Sequence, residues 1–200
     1  MGQPSWDARY QGDDFVYGTA PNDFLRDQIT RLPVGKVLCL AEGEGRNAVF
    51  LAERGFTVTA VDMSPVGLEK ARRLAEQRGV AIDTVVADLA DFRLEPGAWD
   101  GIVSIFAHMP PAARRHLHRE VVAGLRPGGV FVLEAYRPEQ LDYGTGGPPT
   151  AELMMRLDAL RAELAGLEFD LAAETTRNIR EGTLHHGRGA VVQILAHKPE

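Results

Sequence analysis

Residues Val37 to Ala48 read VLCLAEGEGRNA. A short apolar run passes directly into Gly43-Glu44-Gly45-Arg46-Asn47-Ala48, which fits the pattern G-x-G-x-x-G/A. Where a strand turns into a helix, such glycines let the backbone approach a ligand closely, and the helix N-terminus favours electron-rich groups. Read literally, the pattern describes a dinucleotide loop. Two acidic residues, Glu42 and Glu44, stand inside it and raise the question of which ligand it serves.

Outward from this loop, apolar β-rich runs alternate with helical stretches. The runs lie at 37–41, 57–61, 82–87, 101–106 and 130–135, and the helical stretches at about 46–54, 65–78 and 111–125. Ser64 as N-cap, Pro65 in the first turn and Gly79 as the stop delimit the second helix. The third opens after Pro110-Pro111 and closes at Pro127-Gly128-Gly129. Alternation of this kind predicts a parallel sheet covered by helices on both faces. The tail departs from it. Leu153, Leu157, Leu160 and Leu164 repeat at helical spacing over 150–165. Two extended runs follow, at about 168–179 and 189–197, joined by a glycine-containing connector, REGTLHHGR, of the kind that links antiparallel neighbours. The expected fold is α/β: a seven-stranded, mostly parallel, doubly wound sheet ending in an antiparallel strand pair. A nicotinamide-binding half-domain would instead continue in parallel units.

Asp62 closes the second run, 19 residues after Gly43, where an acidic side chain accepts the hydroxyls of a ribose. An adenosine-containing ligand is therefore expected, and charge is the discriminator. A carboxylate such as Glu44 within about 6 Å of a pyrophosphate costs roughly 3 kcal/mol at an effective dielectric near 20. S-adenosyl-L-methionine carries a sulfonium and an ammonium beside one carboxylate, so acidic neighbours suit it. Asp88, after the third run, is placed to accept from an adenine amino group, with Leu89 at the ring edge; a turn-capping role is the alternative.

The composition bounds the reading. The chain has 200 residues, 44% hydrophobic and 25% charged, enough for one domain with a sizeable core. Its net charge of −6 speaks against a nucleic-acid partner. No apolar run approaches a membrane span, and the opening MGQPSWDARY has no apolar signal core, so a cytoplasmic location is expected. The single cysteine, Cys39, leaves no disulfide framework, and no metal site is expected. The oligomeric state is not legible.

Taken in order, VLCLAEGEGRNAVFLA, VTAVDMS, VVADLADF, WDGIVSIF and LRPGGVFVLEAY resemble the class I SAM-dependent methyltransferases. The opening WDARY…YGTAPNDFL and the closing EGTLHHGRGAVVQILAHKP are similar to the small bacterial methyltransferases of the tellurite-resistance type. The resemblance covers nearly the whole chain and implies a Rossmann-like methyltransferase fold. It implies an N-terminal lid over 1–33, a donor-binding core over 34–137 and a C-terminal helix with antiparallel strands over 138–200. It further implies that Glu42, Gly43, Gly45 and Asn47 surround the methionine part of the donor. Asp62 and Met63 then hold the ribose, Asp88 and Leu89 meet the adenine, and Phe106 packs beside the ligand, with S-adenosyl-L-homocysteine as product. Two departures stand out: Cys39 replaces an acidic residue, and Ala41 replaces the first glycine of the usual loop. Glu42 is expected to take over the donor's ammonium group.

Methyl transfer is an in-line displacement whose leaving group is already good, so alignment, worth up to about 7–11 kcal/mol, is the main contribution required of the protein. No catalytic triad is needed. Enzymes that methylate base amino groups carry an Asn/Asp-Pro-Pro-Tyr clamp after the fourth strand, where this chain reads FAHMPP. A small-molecule acceptor is expected: a thiol, hydroxyl, amine or metalloid. Candidates for lining its site are His108, Tyr17, Tyr136, Arg137, His185 and Arg188, with Tyr17 on a segment able to fold over the ligand. The rival readings are a sensor or carrier that binds the donor without turnover, and an NAD(P)-dependent oxidoreductase.

Overall fold

In the computed structural model, which describes residues 5–200, the chain runs α1 (Trp6–Tyr10), α2 (Asp23–Gln28), β1 (Lys36–Leu40), α3 (Arg46–Ala52), β2 (Thr57–Asp62), α4 (Pro65–Gln77), β3 (Asp83–Val86), β4 (Trp99–Ile105), α5 (Pro111–Gly124), β5 (Leu125–Tyr136), α6 (Leu157–Glu163), β6 (Glu168–Glu181) and β7 (His185–His197). The first four positions of the expected lid segment lie outside the described residues.

The strands form one seven-stranded sheet in the order β3-β2-β1-β4-β5-β7-β6. β1 to β5 are parallel, and β7 lies antiparallel between β5 and β6. The alternation of side chains along β1 divides the core. Val37 and Cys39 pack with Phe24 and Leu25 of α2, Phe50 and Leu51 of α3 and Leu68 of α4. Leu38 and Leu40 face the other way, into a cluster with Leu117 and Val121 of α5 and Leu160 of α6. Each fully buried Leu, Val or Phe contributes about 1.5–3 kcal/mol, so a central strand buried on both faces is strongly fixed in register.

The helix signals act as their chemistry requires. The Ser64 hydroxyl accepts from the Gly67 amide at 3.0 Å, and Pro65 occupies the first turn of α4. Gly79, with φ +69°, takes the left-handed conformation that stops the helix.

Two expectations are corrected. The helix anticipated over 150–165 is broken into a 3-10 turn, Ala151–Leu153, and α6. Between them Met154 and Met155 are buried, and the Met155 amide donates to the Tyr136 carbonyl at 2.9 Å, so a bond to the end of β5 replaces a helical one. The connector expected over 180–188 is mostly strand: Glu181 pairs with His185, leaving only residues 182–184 as the turn. Buried ionic partners for Glu181, described below, hold it inside the sheet.

Candidate active site

At the carboxyl ends of neighbouring strands β1 and β4 the connections diverge to opposite faces, which opens a crevice at this topological switch point. Two non-glycine residues with positive φ mark it: Ala41 at +51°, directly after β1, and Phe106 at +54°, directly after β4. Such backbone is strained for residues with a Cβ and concentrates where a site demands a particular path. Ala41 therefore adopts the conformation for which the expected loop would use glycine.

The glycine loop is tightly packed. A Cβ on Gly45 would lie 2.6 Å from that of Ala71, so only glycine lets α3 start this close to α4. A Cβ on Gly43 would lie 2.7 Å from the Tyr10 hydroxyl, which places that ring over the loop. Glu42 is buried, and its Oε1 accepts from the amides of Asn47 and Ala48 at 2.9 and 2.8 Å. The carboxylate thus caps the start of α3, although burial still raises its pKa to about 7. The Cys39 thiol lies against the same carboxylate. Asp62 ties the loop to β2: Oδ2 accepts from the Gly43 amide at 2.9 Å and Oδ1 from the Ser64 amide at 2.8 Å. Burial raises its pKa. Each Asp62 oxygen keeps a second acceptor direction. The Asn47 amide oxygen accepts from the Asn22 backbone at 2.9 Å, and Asn22 in turn caps α2.

The far end of the crevice is open. Met63 is 53% exposed, Asp88 is exposed, and Leu89 is buried behind them. Asp88 Oδ1 accepts from the Ala90 amide at 2.9 Å, a turn contact that leaves the other oxygen to face solvent.

Glu44 requires a correction. Its Oε1 lies 2.5 Å from Lys70 Nζ, with both side chains 2% exposed, and Oε2 accepts from the Tyr17 amide at 3.3 Å. The charge is neutralised within the protein and does not face the crevice. Repulsion of a diphosphate by Glu44 therefore does not discriminate between the two ligands.

At the near end five of the expected residues meet. Phe106 lies 4.6 Å, ring centre to ring centre, from both Tyr136 and His185. Tyr17 lies 4.6 Å from His185, and His108 5.6 Å from Tyr136. Within this cluster the Tyr136 hydroxyl and His185 Nδ1 are buried without a hydrogen-bond partner among the described residues. Burial, with the Arg46 charge nearby, lowers the His185 pKa to about 3, and burial raises that of Tyr136. Both are neutral at pH 7.

His108, expected to line the acceptor site, lies in the cluster and also bonds to the backbone. Its Nε2 accepts from the Tyr136 amide at 3.0 Å, and desolvation lowers its pKa to about 4. That nitrogen joins the ends of β4 and β5. Arg188 is not brought to the cluster: it is exposed, with its guanidinium 5.0 Å from the Tyr143 ring centre. Arg137 pairs with Glu174 at 3.0 Å.

Residues 37–129 match the family described as a methyltransferase domain. Over 126 residues the chain is 29% identical to the 2-heptyl-1-hydroxyquinolin-4(1H)-one methyltransferase of Mycobacteroides abscessus, covering 61% of this chain and 56% of that protein. The chain carries a sequence matching a methyltransferase domain over residues 37–129, just under half of its length. It spans little more than half the length of that curated relative. Among solved structures, the methyltransferase domain and its flanks superpose with a TM-score of 0.79 on one described as "Conversion of a Disulfide Bond into a Thioacetal Group during Echinomycin Biosynthesis", at 22% identity over 97% of this chain and 90% of the other. For TehB from Haemophilus influenzae the TM-score is 0.73, at 18% identity over 96% of this chain and 65% of that one. At these identities the likeness concerns the fold. The cofactor of this domain class is S-adenosyl-L-methionine. The crevice fits such a donor, since Asp62 and Glu42 offer buried acceptors and the orphaned Tyr136 and His185 atoms mark where a further molecule finds polar partners.

Beneath the cluster lies a buried ionic network that sequence reasoning missed. Glu181 Oε2 lies 2.6 Å from Arg46, and Oε1 lies 2.6 Å from Arg177. Arg177 also pairs with Glu134 at 2.5 Å, and Gln193 donates to Glu134 at 2.8 Å. Two arginines and two glutamates balance within it, and Arg177 also reaches the partly exposed Asp23 at 3.5 Å, so both arginines are paired. Glu134 inside the apolar run VFVLEAY, and Arg46 at a helix start where the dipole disfavours a cation, were the legible signals.

Proposed function

We propose that this chain transfers a methyl group from S-adenosyl-L-methionine to a small-molecule acceptor. The observation that carries the reading is the pair of buried, unpartnered polar atoms, Tyr136 OH and His185 Nδ1, in an aromatic cluster adjoining the glycine loop. Native proteins leave few such groups, because an unpaired buried polar atom costs about 1–3 kcal/mol. An acceptor bearing a hydrogen-bonding group satisfies both.

In this reading Asp62 and Met63 hold the ribose, Asp62 accepting from its hydroxyls, while Leu89 meets the adenine edge and Asp88 accepts from its amino group. The backbone of Gly43 and Gly45, with Glu42 and Asn47, surrounds the methionine end. When bound, the donor supplies an electrophilic methyl carbon on a sulfonium leaving group. The chain's own contribution is geometric. Phe106 and Tyr136 present flat apolar surface that excludes water, while Tyr17 closes the cluster from the N-terminal segment. His185, neutral and with Nδ1 open, orients the acceptor's polar hydrogen. Its low proton affinity suits it to orientation rather than to full deprotonation. Alignment of this kind supplies most of what an in-line displacement needs.

The direct test is transfer of labelled methyl from the donor to a panel of thiols, phenols, amines, selenite and tellurite, beside calorimetric titration with S-adenosyl-L-homocysteine. Labelled product from at least one class supports the proposal. Tight uptake of NADH or NADPH with indifference to S-adenosyl-L-homocysteine overturns it. Binding of the homocysteine compound without product across the panel favours a sensor.

A further inference from the structure

Residues 11–14, Gln-Gly-Asp-Asp, bury none of their side chains, yet they lie in place between two parts of the site. Their anchor is one ammonium group. Lys70, on α4, is 1% exposed. Its Nζ donates to the carbonyls of Asp14 at 2.6 Å, Gly12 at 2.8 Å and Tyr10 at 3.4 Å, and it pairs with Glu44 of the glycine loop at 2.5 Å. The Phe15 ring centre lies 5.1 Å from it. Glu44 completes the tie by accepting from the Tyr17 amide at 3.3 Å.

The held segment bears on both halves of the site. Tyr10, at its start, lies against Gly43, where an added Cβ would approach its hydroxyl to 2.7 Å. Tyr17, at its end, packs against His185 with ring centres 4.6 Å apart and planes tilted by 52°. The turn between β6 and β7 also meets the segment, since the Thr183 amide donates to the Val16 carbonyl at 2.9 Å. The adenine end stays open, so the segment covers the end where a donor's methionine part and methyl group would lie. Fold stability alone does not account for Lys70, because apolar residues in place of a buried ion pair are often neutral or stabilising. Its distinctive property is a compact charge with three donors, which gathers the Gly12 and Asp14 carbonyls of a stretch, residues 11–14, that buries no side chain of its own between the anchored rings of Tyr10 and Phe15.

We propose that Lys70 is a positioning residue that, through Glu44 and the carbonyls of residues 10–14, latches the N-terminal segment over the methionine end of the donor site. The inference rests on the methyltransferase reading above. Opening and closing of this latch then governs exchange of donor and product.

The test compares wild type with K70M, K70R and E44Q. In ligand-free protein, chymotryptic cleavage at Tyr10, Phe15 or Tyr17 is expected to accelerate at least tenfold in K70M, and by less than threefold in K70R, which keeps the charge. Affinity for S-adenosyl-L-homocysteine is expected to fall at least tenfold in K70M, and KM for the donor to rise more than KM for the acceptor. A purely structural loss would lower the amount of active protein without that split. Should K70M fail to fold, E44Q decides, with cleavage expected at least threefold faster. Wild-type binding of S-adenosyl-L-homocysteine with unchanged cleavage and affinity in the variants overturns the Lys70 assignment alone. A wild type that binds none overturns the donor reading beneath it, and this inference with it.

Discussion

The backbone amide of Tyr136 donates to Nε2 of His108 at 3.0 Å, closing the end of β5 onto the loop after β4. This bond fixes the ring as the tautomer with its proton on Nδ1. Replacing His108 with Ala leaves the Tyr136 amide buried and unpaired, and is expected to cost at least about 1–3 kcal/mol of stability in urea titrations. The pH dependence follows from the same geometry. His108 and His185 have folded pKa values of about 4 and about 3, below the 6.5 of a free imidazole. Between pH 6.5 and those values the unfolded chain binds more protons, so their contribution is complete above pH 6.5 and is lost progressively on acidification. In H108A the loss of stability between pH 6.5 and 4 is expected to be shallower than in wild type.

Glu42 titrates with the opposite sign. Its folded pKa of about 7 exceeds the free value of 4.5, so the folded state holds the proton more tightly. Stability from this group is present below pH 4.5 and falls as the pH rises to 7. The variant E42Q, which lacks this titration, is expected to gain on wild type steadily across that window and to hold its relative position above it. In calorimetry E42Q is also expected to bind S-adenosyl-L-methionine more weakly than wild type. Unchanged affinity would remove Glu42 as the partner of the donor's ammonium group.

Tyr136 separates catalysis from folding. Its hydroxyl has no partner among the described residues, so Y136F removes an unsatisfied group and is expected to leave stability unchanged or raise it by up to about 1 kcal/mol. Methyl transfer is expected to fall at least tenfold. A variant that is stable and fully active would show that the acceptor does not use this hydroxyl.

Arg177 neutralises two buried carboxylates, Glu134 and Glu181. R177M leaves both without their shared cation and is expected to cost about 3–5 kcal/mol, read as a lower urea midpoint. The double replacement R177M/E134M is expected to recover part of that loss. Additive losses would argue against coupling between the two.

Gly45 combines φ +93° with contact against Ala71. G45A meets both backbone strain and overpacking, each worth about 1–3 kcal/mol, so a loss of about 2–6 kcal/mol is expected. A companion A71G removes the Cβ contact but leaves the backbone Cα of residue 71 at 2.7 Å and the φ strain in place, and is expected to restore stability incompletely.

Much of the fold was written in local patterns. Five apolar runs, the Ser64-Pro65 start and the Gly79 stop placed β1 to β5 and α4 to within a few residues, because caps and buried strands depend on nearby side chains. The tail was less legible. The break at Met154-Met155 answers to the Tyr136 carbonyl, and the long β6–β7 hairpin answers to buried partners of Glu181, contacts made far along the chain.

For the site, the sequence alone determined which residues gather. Gly43, Asp62, Asp88 and Phe106 follow successive strand ends, and parallel strands bring those ends to one edge whatever surrounds them. Tertiary structure alone decided what each side chain does there. It turned Glu44 onto Lys70, gave His108 to a backbone amide, left Arg188 on the surface and set Tyr10 over the glycine loop. The reason is physical: position along a strand follows from local periodicity, whereas the partner of a buried charge or ring nitrogen is set by whichever distant group packing delivers within about 3 Å of it.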